Sequence, residues 1–397
     1  MSLIFTNARL VFPKGICEGW LKVENGKITA YDTGCYPGNI SETDEVINCK
    51  GSYLAPGFIE MHTHGAGGAD FMDGTYEAFE TACMTHLAHG TTTVLPTALA
   101  ATKKEILRTI DGFREAKEKL SGRGPHLPGL HMEGPYLCRE QAGAIDPRYI
   151  RAPEPEEYEE FLSYGKGAIK RWTLAVENEG AAAFANRLKE EGILPSIGHS
   201  NAEYSQVLEA FAQGATHITH LYSAMSTITR KNGFRHSGVL ESAFCIPDMT
   251  VEIIADGCHV PAELLQLVWR VKGPEKTALT CDSMRCAGQN VTESILGSLE
   301  NGQRVIIEDD VAKMPDRQAF AGSIALDDRL VRVMVKKAGV PLHEAVRMMT
   351  LTPAEILGIS AQTGSLAVGK DADLVMFDDD INIREVFVGG KTAYKKQ

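Results

Sequence analysis

Two histidines one residue apart, His62 and His64, close the apolar run GFIEMHTHG. Alternate residues of a strand face the same way, so both imidazoles can turn to one side. Further along, single ionisable residues stand at the ends of similar apolar runs. Glu133 ends the apolar part of GLHMEGP, His199 that of ILPSIGHS, His220 that of THITHLY and Asp282 that of ALTCDS, while VEIIADGCH carries Asp256 and His259. Imidazole and carboxylate together suit Zn²⁺ or Fe²⁺, and a hydrolytic site leaves one coordination position for water. Such a metal lowers the pKa of its water to about 7. A nearby aspartate can then take the proton and return it to a leaving amine.

A lone His-x-His pair is a weak sign, and a lone histidine or glutamate at a strand end is more often structural. The recurrence of these residues at one edge of several strands is what points to a metal site. Other residues read as structural. His86 and His89 lie on or after a helix, and His217 faces away from His220. His131 shares a face with Glu133 and is a candidate support for the ligands. Cys258 and Cys281 neighbour the site without ligand spacing and read as small core residues.

The elements that must position these groups alternate. Residues 56–357 hold eight strand candidates, the six above together with TTTVLPT and RWTLAVE. Helix-like stretches such as TYEAFETACMTHLAHG, KKEILRTIDGFREAKEKL, AAAFANRLKEEG, AEYSQVLEAFAQG and PAELLQLVWRVKG separate most of them. This is the pattern of an α/β fold, a (β/α)₈ TIM-like barrel, whose active site lies at the C-terminal ends of the strands. A doubly wound sheet is the alternative architecture; it would want a GxGxxG turn after an early strand, and none is found. Residues 1–55 and 358–397 read as short strands between Gly and Asn turns, which suggests one small β-sandwich domain built from both termini.

Composition narrows the function. The chain has 397 residues, 44% apolar and 23% charged, with a net charge of −12. That balance argues against a general electrostatic grip on nucleic acid or on an anionic membrane. No run approaches the ~18 apolar residues of a membrane span. The start of the chain lacks the basic and long apolar parts of a signal peptide. Nine scattered cysteines without CxxC pairs read as reduced thiols, so a cytoplasmic protein is expected.

The segments APGFIEMHTHG, GLHMEGPYL, SIGHSNA, THLYSAM, IIADGCH, the Cys-Asp-Ser of 281–283 and FAGS at 320–323 together resemble the N-acetylglucosamine-6-phosphate deacetylase family of the amidohydrolase superfamily. VGKDADLVMFD resembles that family's closing β segment, and the resemblance runs in order along essentially the whole chain. It implies that Glu133, His199 and His220 are the principal metal ligands. His62 and His64 match the pair that some members use for a second metal, with Glu133 bridging. It further implies that Asp282 is the acid/base and that His259 polarises the acetyl carbonyl. Ala144, Ser223, Ala224, Lys231 and the stretch Phe320, Ala321, Gly322 match positions that contact substrate.

On this resemblance one or two divalent transition metals, Zn or Fe, are expected per chain. The substrate is expected to be an amino sugar phosphate and the assembly a homodimer in which a phosphate-binding residue comes from the partner. The chain departs from the family at three places. Ile145 stands where the family has His, Ser223 where it has Asn, and Lys231 where it has its phosphate-binding Arg. Lysine is a point charge and not a bidentate fork, although Arg230, Arg235 and His236 are close by. Release of acetate from N-acetylglucosamine-6-phosphate is therefore the expected reaction. The alternatives are an amidohydrolase for another N-acetyl amino sugar, a cyclic amide or an isoaspartyl peptide, or a non-catalytic metal-binding barrel, against which Asp282 argues.

Overall fold

The run TTTVLPTAL is rich in β-branched and apolar residues, and as the strand Thr91–Leu99 it is buried at every position. Burial on both faces is the condition of a strand in a parallel sheet covered by helices. In the computed structural model, which describes residues 2–396, eight such strands form one parallel sheet in chain order. They are Phe58–Thr63, Thr91–Leu99, Leu130–Glu133, Ile169–Leu174, Leu194–Ile197, His217–Ile218, Thr250–Ile254 and Thr277–Thr280, called the first to eighth strands below. All eight coincide with the strand candidates in the sequence.

The first and eighth strands meet through a buried side chain and through backbone bonds at their C-terminal ends. The Glu60 carboxylate accepts the Cys281 N–H at 2.8 Å, the Thr280 hydroxyl at 2.6 Å and the His62 N–H at 2.7 Å. The Asp282 N–H donates to the His62 carbonyl at 3.1 Å. Glu60 is fully buried, and burial lifts its carboxyl above the usual carboxylate range, as it does the neighbouring Asp327.

The helices Tyr76–Ala88, Lys103–Lys119, Ala181–Glu190, Tyr204–Ala212 and Ala262–Lys272 stand where periodicity places them. The second is opened by a capping box, with the Thr102 hydroxyl on the Glu105 N–H and the Glu105 carboxylate on the Thr102 N–H. Two elements near the site are not evident from the sequence. One is a hairpin, Thr229–Lys231 with Phe234–His236, after the sixth strand. The other is a three-stranded antiparallel sheet after the eighth strand, formed by Glu293–Leu296, Gln303–Glu308 and Val311–Lys313.

Strands from both ends of the chain join in a second, eight-stranded sheet. Leu374–Phe377 runs antiparallel to Tyr53–Pro56, which links the C-terminal strands to Ser2–Phe12. Asn25 and Gly26, both with positive φ, make the tight turn between two of its N-terminal strands, as a twisted hairpin requires. The sheet encloses Phe5, Leu10, Leu54, Leu374 and Phe387. The chain passes from sheet to barrel at Gly57, where any Cβ would run into the Thr92 side chain. Among the described residues, no helix is long and apolar enough to cross a membrane.

Candidate active site and metal centre

The strands deliver their ionisable residues to one end of the barrel. His62 and His64 come from the end of the first strand, Glu133 from the third, His199 and His220 from just beyond the fifth and sixth, and Asp282 from just beyond the eighth. The backbone of His199, His220 and Asp282 has φ of +48°, +27° and +46°. Non-glycine residues seldom adopt this left-handed region, and such strain gathers at functional sites. Here it marks the point where each chain leaves its strand.

The side chains meet around Glu133. Its Oε1 lies 3.1 Å from His199 Nε2 and 3.0 Å from His220 Nε2, and those two nitrogens are 3.1 Å apart. Its Oε2 lies 3.1 Å from His64 Nε2 and 3.4 Å from His62 Nε2. Asp282 Oδ1 completes the second group, 3.0 Å from His64 Nε2 and 3.5 Å from His62 Nε2. One carboxylate thus stands between two histidine pairs.

The donor set fits a transition metal. Ligands at about 2.0–2.2 Å around a tetrahedral ion lie about 3.3 Å from one another, close to the edges of the Glu133–His199–His220 triangle. His62 Nε2 is buried and has no hydrogen-bond partner. His199 is turned by its Nδ1, 2.7 Å from the Gln141 carbonyl, and His62 by its Nδ1, 2.7 Å from Glu252. Such outer contacts orient ligands and fix their tautomer.

Burial would raise the carboxyls, but charge outweighs it. His62 and the hydrogen bonds from His199 and His220 hold Glu133 well below the usual carboxylate range. His62 and His64 hold Asp282 below it too. Burial opposes a charge on His64, yet Asp282 and Glu133 push its pKa up to about 9. The carboxylates are therefore ionised at neutral pH, ready to face a cation or accept a proton.

Beyond the seventh strand, Asp256 grips His259. Its carboxylate lies 2.7 Å from His259 Nδ1 and accepts the Cys258 and His259 N–H groups at 2.8 and 2.9 Å. The ring packs 4.8 Å from Phe320, facing the cavity. That cavity, of about 300 Å³, is floored by His64, Glu133, His199, His220 and Asp282. Ala144, Ile145, Ser223, Ala224, Phe320 and Gly322 line its walls, while Ala321 is buried beside them.

Arg230 and Lys231 do not line this cavity. They lie exposed on the hairpin, where Lys231 and His236 pair with Glu203. Among the described residues no Lys or Arg lines the cavity. Leu99, Ile254 and Leu296 line it without having been singled out in the sequence. Leu296 belongs to the added three-stranded sheet, whose strands are short and separated by polar turns.

His131 packs beside the site and belongs to neither group of candidate ligands. Its nitrogens bond to Thr97 and Thr173, and its ring packs edge-on to His62 at 4.5 Å. Burial holds its pKa well below the usual value, so it is neutral. His217 bonds to Thr250 and His89 to Asp328, both away from the cavity. His86 is buried against Thr63, and with Cys281 and Asp327 it forms a separate cluster in the barrel wall. Two charged residues inside the barrel, Arg171 and Glu252, are not evident from the sequence: Arg171 stands beside Lys170 in IKRWTL and Glu252 is the lone charge of TVEII.

The sequence profile of the amidohydrolase family matches residues 53–393. The chain is 32% identical to the N-acetylglucosamine-6-phosphate deacetylase of Bacillus subtilis (strain 168), over 99% of this chain and 97% of that one. The crystal structure of N-acetylglucosamine-6-phosphate deacetylase from Pasteurella multocida superimposes with a TM-score of 0.90 at 31% identity, covering 99% of each chain. A mutant of the Mycobacterium smegmatis deacetylase, in complex with N-acetyl-D-glucosamine-6-phosphate, superimposes with a TM-score of 0.88 at 29% identity, again covering 99% of each.

Proposed function

The chain belongs to the amidohydrolase family, and on that premise we propose that it hydrolyses N-acetylglucosamine-6-phosphate to glucosamine-6-phosphate and acetate. The observation that carries this reading is the convergence of Glu133, His199 and His220 at 3.0–3.1 Å, with Asp282 beside them in one cavity. Glu133, His199 and His220 would hold a divalent metal, Zn or Fe by the chemistry of the donors. His62 and His64, with Glu133, would hold a second. When bound, the metal supplies Lewis acidity to the acetyl carbonyl and to water.

The chain's own groups do the rest. Asp282, ionised, takes the proton of the attacking water and hands it to the amine nitrogen as the C–N bond breaks. His259, gripped at Nδ1 by the Asp256 carboxylate, turns Nε2 to the carbonyl oxygen, and with a proton on that nitrogen as well it donates to the oxygen as negative charge develops there. Removing one such donor costs about 10²–10³ in turnover.

The phosphate is assigned to the hairpin of a partner subunit. Arg230, Lys231 and Arg235 stand clear of their own cavity, and Phe234 at the hairpin tip is 75% exposed. A homodimer in which each hairpin serves the other cavity accommodates both facts. The nine cysteines are free, which suits the reducing cytoplasm. A second reading keeps the same centre but a different amide, and it is favoured by the apolar wall of Leu99, Ile145 and Leu296 and by the absence of a lining cation among the described residues.

Acetate release separates the two readings. Two charged hydrogen bonds to phosphate contribute about 1.5–3 kcal/mol each. N-acetylglucosamine-6-phosphate should then exceed N-acetylglucosamine by at least about 10²-fold in kcat/KM. Equal values, or no acetate from either, would leave an amidohydrolase with another substrate.

A further inference from the structure

Beneath the ligand cluster lies an ion pair that the reaction above does not use. Arg171 of the fourth strand and Glu252 of the seventh are both fully buried inside the barrel. Arg171 Nη1 lies 2.6 Å from Glu252 Oε2 and 3.1 Å from the Met61 carbonyl. Its Nε donates to Ser196 Oγ at 3.0 Å and its Nη2 to Thr219 Oγ1 at 2.8 Å. Nothing about the guanidinium is left free to turn.

Glu252 is fixed in consequence. Its Oε2 takes the arginine, with His217 Nε2 at 3.5 Å, and its Oε1 takes His62 Nδ1 at 2.7 Å and the His220 N–H at 3.2 Å. Desolvating two charges is costly, and an apolar pair of the same size is often as stable or more so. Packing alone therefore gives no reason for the pair. Its geometry does, because Glu252 can only accept at Oε1, so the His62 proton is held on Nδ1. Nε2 of His62 is then the nitrogen left to ligate, aimed between Glu133 and Asp282.

We propose that Glu252, clamped by Arg171, is the positioning residue of His62, and that the His62/His64 side of the centre binds its metal tightly only while this pair is intact. The inference rests on the two-metal reading above. Glutamine at 252 would reverse the effect. It has one acceptor oxygen, which Arg171 would claim, and its NH₂ would then face His62 Nδ1 and drive the proton onto Nε2, the ligating nitrogen.

The test is zinc binding, followed by competition with a chromophoric chelator and by elemental analysis. It compares the full-length wild type, Glu252→Gln, and Arg171→Met with Glu252→Leu, a double change that leaves no unpaired buried charge should the single one fail to fold. His62→Asn with His64→Asn identifies the weaker class of site. Wild type should bind two equivalents. Both Glu252 variants should bind the weaker one about 10–100-fold less tightly and hold the tighter one within about twofold. One equivalent in wild type would overturn the two-metal reading and this inference with it. Two equivalents in wild type, with both affinities kept or both lowered alike in the variants, would overturn this inference alone.

Discussion

Asp282 stands where the proton of the attacking water has to go. It faces His64 at 3.0 Å, and the histidines keep it ionised in spite of burial. Asparagine has nearly the same shape but cannot take the proton. Asp282→Asn should lower kcat by about 10²–10⁴ while the fold and the tighter metal are retained, as steady-state kinetics and elemental analysis on one preparation would show. A variant with near-normal kcat would move the role elsewhere. Asp256 does not stand ready to take it, since its carboxylate is engaged by His259 and two N–H groups. At this scale the sequence is informative where chemistry coincides with a strand end. His62, His64, Glu133, His199, His220 and Asp282 all announce themselves by standing at one edge of successive apolar runs. Arg171, Glu252 and Glu60 do not, because a charge within a strand pattern reads as a solvent face. Only the closed barrel turns those positions inward, where each charge finds its partner.

The hairpin Thr229–Lys231 with Phe234–His236 belongs to the scale of elements. Asn232 and Gly233 both have positive φ, the turn that a two-residue hairpin connection demands. Its strands are three residues long, too short to alternate visibly, so the segment reads in sequence only as a basic loop. On the present account its cations act at the phosphate. Arg230→Ala and Lys231→Ala should each reduce the preference for phosphorylated over plain sugar by about tenfold or more, leaving turnover of the plain sugar alone. Added salt should erode the preference as well if the contact is open to solvent. A ratio of kcat/KM values unmoved by either substitution would make the hairpin's charges a solvated face. The barrel strands were legible because parallel strands buried on both faces are near-continuous apolar runs. The three-stranded sheet after the eighth strand was not, since polar turns break ESILGSLENGQRVIIEDDVAK into pieces below the length at which period is readable.

Across the whole molecule, barrel and terminal sheet are tied at Asp373. This buried carboxylate accepts from His126 Nε2 at 3.2 Å, from the Thr363 hydroxyl at 3.3 Å and from the Gly389 N–H at 2.9 Å. The hydrogen bond to Asp373 raises the pKa of the half-exposed His126, against the opposing effect of burial. A histidine raised in the folded state contributes stability that is fully present below its unfolded pKa of about 6.5 and is lost as pH rises through the folded value. The urea midpoint of wild type should therefore exceed that of His126→Ala by more at pH 6 than at pH 8.5. A constant difference would mean that His126 titrates alike in the folded and unfolded states, so that Asp373 does not favour its charged form. The pairing of the two chain ends was readable as matching strand-like segments, but the long-range contact between residues 126 and 373 has no local signature. The dependence of hydrolysis on a bound metal belongs to the other end of the barrel, where side chains from five strands converge around Glu133. It is tested by acetate release from N-acetylglucosamine-6-phosphate by protein stripped with a chelator, verified metal-free by mass spectrometry, and titrated with Zn²⁺ or Fe²⁺. Turnover should fall to background without metal and recover fully within two equivalents. Undiminished turnover by the metal-free protein would contradict it.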